Sequence, residues 1–539
     1  MNILGIHGNF GKAEHDSAAV LVHDNEIIAA AEEERFVRFK HAVGLMPDRA
    51  IQYCLNEAGI TMKDIDIVAF PRATWKDFRA RLEAYLWYNF GHIPQIVFVD
   101  HHLAHATSSY LISGFDSALI LTLDQSGDGV SCGVFRGIGT QIKLIEAIPF
   151  PNSLGLFAAF ITQYLGFRSN HDEYKIMGLA AYGNQNIDLR KIITFEGGNI
   201  KFNQNLLHAE VMKRHPIFHT DQIPIFKEEK YSFLPPRRLR GTKLLGEHKD
   251  LAASAQKAIE DAVFALINKY KRPEDSFLCL AGGVAENSVA NGKIASKKLF
   301  KDIYVAPACN DAGTALGAAL YVANQNGYKF HRMNDNKWGP AYSNKVITKI
   351  LKSYGIKHRY SENVEEETAR ILEERKIVGW FQGRMEFGSR ALGARSLIAD
   401  PSDRKMKSKV NRIKKREEFR PFAPSVLIEH VSSIFNLYQR SPFMSFTLDT
   451  TKEGKDKIAA ATHIDFTGRL QTVEKDGSKF RTLIEHFYKR TKIPAVLNTS
   501  LNSGWEPIIE SPDQAIAFFF SSEADALILN DYIIGKHGG

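Results

Sequence analysis

The segment SALILTLDQSGDG, residues 117–129, is an apolar run that passes into a polar, Gly-rich loop. Residues 130–136 and 142–148 follow with the pattern of a β-hairpin. A similar unit begins the chain, where NILGIH at residues 2–7 precedes a hairpin over residues 17–34. This internal repeat predicts a two-lobed α/β fold with a ligand between the lobes, although two unrelated hairpins would give the same pattern.

The remainder of the chain reads as further α/β structure with one irregular insertion. Residues 185–250 hold few periodic segments, and we interpret them as an insertion over a cleft. A helix is predicted over residues 251–270, then a strand over 276–280 that runs into two glycines and a helix from about Ala285. Residues 325–345 are polar and rich in turn formers, which predicts a domain boundary there.

Composition excludes several classes of protein. The chain has 539 residues, of which 44% are hydrophobic and 24% charged, a mixture typical of soluble globular proteins with several domains. No apolar run approaches the ~20 residues of a membrane helix, and the start MNILGIHG has no signal-peptide pattern. The four cysteines are scattered, so neither a disulfide framework nor a zinc ribbon is indicated, and we expect a cytoplasmic protein.

The net charge of +8 is unevenly placed, with the densest basic cluster at residues 404–420, RKMKSKVNRIKKREEFR. A solvated helix face, a nucleic-acid surface and a site for small phosphorylated ligands would all fit this cluster. Charge alone does not choose among them.

The motif DHHLAHA, residues 100–106, follows the apolar segment QIVFV and is predicted to open a helix. His101 and His105 are four residues apart, so they share one helix face, as two imidazoles that bind one metal must. His102 points elsewhere and is interpreted as a structural histidine. The motif predicts a metal or phosphate site.

Two aspartates at predicted strand ends are further candidate ligands. Asp124 begins DQSGDG, in which Gly127 would let backbone N–H groups approach phosphate oxygens, although such loops are often simple turns. Asp311 in NDAGTALGAAL precedes a helix of small residues, where it could act as an N-cap, a metal ligand or both.

The segment LAGGVAENSVANGK, residues 280–293, is a candidate nucleotide site. Gly282 and Gly283 permit close approach of a nucleotide between a strand and a helix, and Asn287 and Asn291 share a helix face. The pattern is not a P-loop. A helix packed tightly at a glycine corner is the alternative interpretation.

Cations among glycines and apolar residues in the C-terminal region indicate a phosphate clamp. They stand in GRMEFGSRALGARS and REEFRPFAPSV: Arg384, Arg390, Arg395, Lys414, Arg416 and Arg420. Near the end, Asn498, Ser500 and Asn502 form a cluster of short hydrogen-bonding side chains, or an ordinary Asn/Ser turn.

These segments, in this order, resemble the NodU/CmcH family of O-carbamoyltransferases, which includes the tobramycin and cephalosporin carbamoyltransferases. The matching motifs span residues 1–507 and are HDSAAVLV, AAEEERF, DHHLAHA, LTLDQSGD, DEYKIMGLAAYG, LAGGVAEN, NDAGTALGAA, GRMEFGSRALGARS, REEFRPFAPSV and LNTSLN. Two positions depart from the family pattern: Ser389 replaces a proline, and Trp505 stands at a glycine position.

The resemblance implies an α/β chain of two domains. Residues 1–335 would have the actin/Hsp70-type ATPase-like fold, in the version shared with tRNA threonylcarbamoyl-transfer enzymes, and would transfer the carbamoyl group. Residues 346–539 would form a YrdC-like α/β domain that makes carbamoyl adenylate. The function implied is ATP-dependent transfer of a carbamoyl group from carbamoyl phosphate to a hydroxyl of a small molecule such as a natural product.

The family also implies roles for individual residues. The metal ligands would be His101, His105, Asp124 and Asp311. His15 would lie by the reacting carbamoyl group as a base, and Lys175 and Glu173 would line the adenylate pocket with the LAGGVAEN loop. Carbamoyl phosphate would be held by Arg390, Lys414, Arg416, Arg420 and Ser500.

The implied cofactors are ATP, with magnesium, and a divalent metal, for which two His and two Asp suit iron, zinc or manganese. The expected partners are carbamoyl phosphate, ATP and a hydroxyl-bearing acceptor. Neither nucleic acid nor a membrane is expected as a partner, and the expectation includes a homodimer as one oligomeric state. Alternatives are a tRNA threonylcarbamoyl-type modification enzyme, a small-molecule kinase on the same fold, and a nucleotide-binding sensor without catalysis.

Overall fold

A computed structural model describes residues 1–10, 15–72, 77–208, 226–227, 229 and 231–536. The chain divides into two compact units. The first comprises Met1–Val37 with His41–Met333, and the second comprises Arg38–Lys40 with Asn334–Gly539. Within the described residues, no helix combines the length and apolar character that crossing a membrane requires.

The first unit contains two five-stranded sheets. Strands of the first sheet are β1 (Asn2–His7), β2 (Ala18–His23), β3 (Glu26–Glu32), β4 (Ile67–Phe70) and β5 (Gln95–Phe98). Later strands of this unit are β6 (Ser117–Gly127), β7 (Val130–Ile138), β8 (Gln141–Pro149), β9 (Ile193–Thr194), β10 (Lys201–Phe202), β11 (Phe277–Ala281) and β12 (Asp302–Val305).

The two large sheets share one topology. The first has the order β3-β2-β1-β4-β5, and the second has the order β8-β7-β6-β11-β12. In each, the first three strands form an antiparallel meander, and the remaining two extend the sheet in parallel from its first strand. The predicted internal repeat is therefore present as a duplicated sheet, and the prediction of an α/β fold of the actin/Hsp70 type is confirmed.

Helices of the first unit are α1 (Glu34–Val37), α2 (Asp48–Ala58), α3 (Phe78–Phe90), α4 (His101–Tyr110), α5 (Leu154–Tyr164), α6 (Glu173–Ala180), α7 (Gly246–Tyr270), α8 (Ser288–Ser296) and α9 (Ala312–Gln325). Helix α9 packs closely because its residues are small. A Cβ at Gly317 would lie 1.8 Å from the Ala104 carbonyl oxygen of α4, and a Cβ at Gly5 would lie 2.0 Å from the Ala315 carbonyl oxygen of α9. These contacts bring α4, α9 and β1 together.

Some predicted boundaries in this unit are wrong. Strand β6 does not end at Asp124 but continues to Gly127, so the QSG segment is strand rather than loop. The helix expected from about Ala285 begins at Ser288, after a 3-10 turn over Gly283–Glu286. Helix α7 begins five residues before the predicted position 251. Of the predicted insertion, residues 209–225, 228 and 230 lie outside the described residues.

The second unit is built on one mixed sheet of nine strands. Its strands are β13 (Arg359–Tyr360), β14 (Val378–Phe381), β15 (Arg395–Ala399), β16 (Ala423–Leu427), β17 (Phe446–Asp449), β18 (Thr467–Val473), β19 (Ala495–Ser500), β20 (Ala526–Leu529) and β21 (Tyr532–Gly535). The strand order is β13-β21-β20-β14-β15-β19-β16-β18-β17.

Both faces of this sheet are covered. Helices of the unit are α10 (Asn344–Ser353), α11 (Val364–Glu373), α12 (Lys405–Ile413), α13 (Val431–Ile434), α14 (Lys452–Lys457), α15 (Lys479–Thr491) and α16 (Pro512–Ser521). Successive residues of a strand point to opposite faces, and accordingly Phe381 and Leu397 join one buried cluster while Trp380 and Ile398 join another. Strands buried on both faces read as apolar runs, which is why β14 and β15 carry little alternation.

Candidate metal centre and active site

Four side chains converge in the first unit at the junction of α4, β6 and the start of α9. His101 Nε2 lies 3.1 Å from Asp124 Oδ2 and 3.6 Å from Asp311 Oδ1. His105 Nε2 lies 3.7 Å from Asp124 Oδ2 and 3.5 Å from Asp311 Oδ1. One ligand atom from each of the four residues lies within 4.8 Å of the others.

These spacings suit a single cation. A metal–ligand bond of about 2.1 Å places neighbouring ligands of a tetrahedral site roughly 3.4 Å apart. Both ring nitrogens of His105 are buried and, among the described residues, have no hydrogen-bond partner. An imidazole left in this state is costly unless something else binds it. The donor set therefore fits a divalent metal.

Local structure explains why each ligand points inward. His101 and His105 stand one turn apart on α4, whose N-terminus is capped by Asp100, which accepts a hydrogen bond from Leu103 N at 2.9 Å. Asp311 occupies the N-cap position of α9, but among the described residues its side chain makes no capping hydrogen bond, and its carboxylate faces the histidines. His102 points elsewhere: its Nε2 donates to the Val130 carbonyl and its Nδ1 lies 2.8 Å from Thr122 Oγ1, as expected of a structural histidine.

Gly127 has a different position from the one predicted. It lies against the His101 ring, and a Cβ there would be 2.0 Å from His101 Cδ2. The glycine is therefore needed for the packing of a candidate ligand, and its approach to a phosphate stays a prediction.

The charges in this cluster are strongly coupled. Burial raises the pKa of the Asp124 carboxyl, but the hydrogen bond with His101 and the nearby imidazole of His105 outweigh burial and hold that pKa well below its usual range. Burial lowers the pKa of His105, and the contacts with Asp124 and Asp311 outweigh it to raise this pKa to about 9. Because a ligating imidazole must be neutral, metal binding would displace a proton here.

His7, which the sequence analysis did not select, adjoins this cluster. Its Nε2 lies 3.8 Å from Asp311 Oδ2 and 3.2 Å from the His15 carbonyl oxygen, and its Nδ1 lies 3.1 Å from Thr314 Oγ1. Burial lowers the pKa of His7 to about 4, so it is neutral at physiological pH. Its position at the end of β1, the strand equivalent to β6, was the signal that could have identified it.

His15 is held by its neighbour Asp16. Burial lowers the pKa of His15, but its Nδ1 lies 2.8 Å from Asp16 Oδ2, and this contact raises the pKa to about 10. The imidazole is therefore charged at neutral pH in this state, which favours donation of a proton over acceptance. The predicted role of His15 as a base stays a prediction.

Glu173 and Lys175 lie at the start of α6. Burial raises the pKa of Glu173 to about 7, and its Oε1 accepts a hydrogen bond from Asn170 N. Lys175 Nζ lies 3.1 Å from Asp172 Oδ1 and 5.3 Å from the centre of the Phe167 ring. Their predicted contact with an adenylate is not tested by these interactions.

The glycine pair after β11 borders the candidate metal centre. Gly283 N donates to Asp124 Oδ1 at 3.4 Å, and Gly282 has φ 89°, a backbone conformation that favours glycine. Asn287 is engaged differently from the prediction, since its side chain caps α8 by accepting from Ala290 N and pairs with Gln256. Asn287 therefore stabilises the start of α8.

In the second unit, Lys414 and Ser500 are brought together. Lys414 Nζ is buried and donates to the backbone oxygens of Ser500 and Asn502, and it lies 3.1 Å from Ser500 Oγ and 2.7 Å from Asn502 Oδ1. Burial, with Arg416 and Arg420 nearby, holds the pKa of Lys414 well below its usual range. Lys414 thus fixes the loop after β19.

The other cations of the predicted clamp have varied surroundings. Arg384 donates to the carbonyl oxygens of Gly339 and Trp338, so its guanidinium supports a turn. Arg416 packs over the Phe422 ring at 4.0 Å and donates to Asn411 Oδ1. Arg390 is half-buried, and Arg420 lies 3.6 Å from Glu417.

Asn498 and Glu386 form a buried polar region at β19 and the loop before β15. Asn498 Nδ2 donates to Ser425 Oγ and Gln471 Oε1, and Glu386 Oε1 accepts from Leu392 N and Ala394 N, both at 2.7 Å. Glu386 was not predicted from the sequence, where its only signal is an acidic residue between the glycines of GRMEFGSRALG. Its carboxylate closes the loop that carries Arg390.

The departure at Trp505 has a simple structural account. Trp505 is 61% exposed, and Lys415 Nζ lies 5.3 Å from its ring centre. Gly504 supplies the close approach instead, because a Cβ there would lie 2.9 Å from the Lys414 carbonyl oxygen. Neither residue has a positive φ, so this segment does not adopt the left-handed conformation that favours glycine.

Comparison with known proteins assigns the family. A family model described as Carbamoyltransferase N-terminus matches residues 2–90 and 77–320, and one described as Carbamoyltransferase C-terminus matches residues 369–536. Nodulation protein NolNO of Sinorhizobium fredii is 36% identical over 97% of this chain and 79% of its own length. Nodulation protein NolO of Bradyrhizobium diazoefficiens is 35% identical over 81% of this chain and 79% of its own length.

An archaeal relative and a solved structure are also similar to the chain. An uncharacterized protein of Methanocaldococcus jannaschii is 32% identical over 97% of this chain and 98% of its own length. The solved structure of HypF from T. kodakarensis covers 61% of this chain and 48% of that chain at 12% identity, and its TM-score of 0.36 is too low to carry an argument. From the two family matches and the relatives that align over most of its length, the chain belongs to the carbamoyltransferase family and is an enzyme that transfers a carbamoyl group.

Proposed function

We propose that the chain is an ATP-dependent O-carbamoyltransferase acting on a small hydroxyl-bearing molecule. The second unit, within residues 346–539, would convert carbamoyl phosphate, ATP and water to carbamoyl adenylate, phosphate and pyrophosphate. The first unit, within residues 1–335, would pass the carbamoyl group to the acceptor. The observation that carries this proposal is the convergence of His101, His105, Asp124 and Asp311 on one buried point.

Those four residues would hold a divalent iron, zinc or manganese ion. When bound, the ion would act as a Lewis acid that stabilises negative charge developing on oxygens of the adenylate. Glu173, Lys175, Gly282 and Gly283 would line the adenylate, with the glycines admitting its phosphate near Asp124.

In the second unit, the half-buried Arg390, together with Arg416 and Arg420, would bind the phosphate of carbamoyl phosphate through N–H donors. Lys414 would act through the loop it fixes, by presenting Ser500 to the ligand. Fixed donors of this kind need no rearrangement as charge develops, which is how such clamps lower a barrier.

A direct test is mass spectrometry of a panel of hydroxyl compounds incubated with the full chain, carbamoyl phosphate and ATP. The panel covers an aminoglycoside, a nucleoside, an oligosaccharide and a polyketide. A product heavier by one carbamoyl group, formed only with both co-substrates, supports the proposal. Equal product without ATP would contradict the adenylate route.

The metal assignment has its own test and an internal control. Replacing His101 or His105 with Ala should remove the metal from the purified full chain, whereas His102→Gln, on the same helix but bonded to Thr122 and Val130, should keep it. Full metal occupancy in both alanine variants would overturn the assignment.

A further inference from the structure

Three side chains in the first unit form a hydrogen-bonded group, which we call the His–Asp–His unit: His15, Asp16 and His41. Asp16 Oδ2 lies 2.8 Å from His15 Nδ1, and Asp16 Oδ1 lies 2.8 Å from His41 Nδ1. Each oxygen of one carboxylate therefore holds one imidazole. A carboxylate bonded to Nδ1 fixes the tautomer of an imidazole and leaves Nε2 for chemistry.

The position of this group is next to the candidate metal centre. The His15 carbonyl lies 3.2 Å from His7 Nε2, which lies 3.8 Å from the candidate ligand Asp311. On the other side, the His41 ring meets the His171 ring edge-on, with centres 4.8 Å apart. The His–Asp–His unit thus extends from the metal ligands towards the segment that begins α6.

The backbone adopts uncommon conformations to build this group. Asp16 has φ 64° and His41 has φ 65°, in the left-handed region that residues other than glycine rarely occupy. Asp16 N donates to the His41 carbonyl at 2.6 Å, and His41 N donates to the buried carboxylate of Glu34. Such conformations persist where the surroundings enforce them, and they concentrate at functional sites.

His41 also has an unused nitrogen. Its Nε2 is buried and, in the part of the chain that the structure describes, has no hydrogen-bond partner. With Nδ1–H donated to Asp16, a neutral His41 presents a lone pair at Nε2. A buried acceptor without a donor is unfavourable, and a substrate hydroxyl would supply that donor.

We propose that His41 is the base that takes the proton of the acceptor hydroxyl, that His15 acts as the proton donor beside the carbamoyl group, and that Asp16 positions both. This inference rests on the proposed function. The acceptor oxygen bonds to the carbamoyl carbon, the bond from that carbon to the adenylate oxygen breaks, and its electron pair leaves with AMP. The hydroxyl proton goes to His41 Nε2, and His15 gives its proton to the phosphate oxygen of the leaving AMP. Exchange with water then returns His41 to its neutral form and His15 to its protonated form.

The raised pKa of His15 agrees with its role as the proton donor, because a charged imidazole can donate a proton and cannot accept one. A single carboxylate that orients two imidazoles lets one act as donor and the other as base in one turnover. His15 and His41 are thereby distinguished by their surroundings, although both bind Asp16.

The chain offers matched control variants. Asp24 also follows a histidine and also has a positive φ, 52°, but it lies in the exposed β2–β3 turn. Asp16→Asn keeps the side-chain shape and tolerates the left-handed backbone, but it replaces one acceptor oxygen with a donor, so one imidazole must change tautomer. Asp24→Asn makes the same change away from the site, and His23→Asn is the control for His41→Asn.

The first readout needs no acceptor. In the full chain labelled with ¹⁵N-histidine, nuclear magnetic resonance should show Nδ1–H protons of His15 and His41 at low field. Asp16→Asn should shift both signals, and Asp24→Asn should leave both unchanged. Unaltered signals in Asp16→Asn would overturn the His–Asp–His unit.

The second readout separates this inference from the proposed function. With carbamoyl phosphate, ATP and glycerol as the hydroxyl probe, His41→Asn should lower kcat for transfer at least about 100-fold, the usual contribution of a general base. Pyrophosphate release should continue at the wild-type rate, and His23→Asn should match wild type. Wild-type transfer by His41→Asn would contradict the inference, whereas absence of carbamoyl adenylate with the wild-type chain would contradict the proposed function.

Discussion

Replacing Gly127 with Ala should weaken metal binding without touching any ligand. The added Cβ would lie 2.0, 2.2 and 2.5 Å from three atoms of the His101 ring, whereas carbon atoms pack at about 3.5–4.0 Å. The ring must therefore move by roughly 1.5 Å, well beyond the ~0.2 Å that a metal–ligand bond tolerates. Because φ of Gly127 is not positive, the alanine itself adds no backbone strain.

We expect Gly127→Ala to lose at least about 10- to 100-fold in metal affinity and, through overpacking, on the order of 1–3 kcal/mol in the free energy of unfolding. Metal content after dialysis against a graded chelator measures the affinity, and urea unfolding of the metal-free chain measures stability. Gly246→Ala is the control, since no atom of the described residues lies within 4 Å of its added Cβ. Wild-type metal affinity in Gly127→Ala would refute the placement of His101 as a ligand.

Three further outcomes follow from the same contacts. Lys414→Met should lower the free energy of unfolding by on the order of 3 kcal/mol in urea, because the oxygens around Asn502 lose their donor; an unchanged value would contradict the role of Lys414 in that loop. Arg390→Ala should stop pyrophosphate release from carbamoyl phosphate and ATP while leaving the unfolding midpoint unchanged. The control Arg412→Ala, which removes a surface side chain paired with Glu523, should leave both release and midpoint unchanged. Normal release by Arg390→Ala would exclude Arg390 from the clamp. Burial raises the pKa of Glu173 from 4.5 to about 7, so the stability that its proton gives is complete below about pH 4.5 and is lost as the pH rises through 7. Glu173→Gln, which keeps an acceptor for Asn170 N, should therefore gain on the order of 3 kcal/mol over wild type at pH 8 and little near pH 4.5, and an equal difference at both pH values would disprove the raised pKa.

The duplicated sheets could be predicted because their hairpins leave a local signal. In residues 17–34 and 130–148, the paired strands and the turn between them are contiguous in sequence, so the hydrophobic alternation and the turn residues are enough to predict the hairpins. Likewise His101 and His105 lie on one helix turn, and spacing alone places them on one face. Asp124, inside β6, and Asp311, directly before α9, were selected because each follows an apolar segment, and both carboxylates lie beside the two imidazoles.

Other features depend on contacts distant in sequence. Asp16 and His41 are 25 residues apart, and each by itself reads as a loop residue. Gly127 was assigned to phosphate because its loop looks like a turn, but β6 continues through it and places it against His101. The sequence presents Lys414 as one cation in a basic run. In the structure it is buried against Ser500, which is 86 residues away in the sequence.

The most direct test of the account follows both half-reactions in one experiment with ¹³C-labelled carbamoyl phosphate, ATP and the hydroxyl compound found active in the panel. Mass spectrometry of the reaction mixture should show labelled product with the wild-type chain, labelled carbamoyl adenylate but no product with His105→Ala, and neither compound with Arg390→Ala. Labelled product from metal-free His105→Ala, or loss of the adenylate in that variant, would contradict the claim that these residues serve separate steps of one carbamoyl transfer.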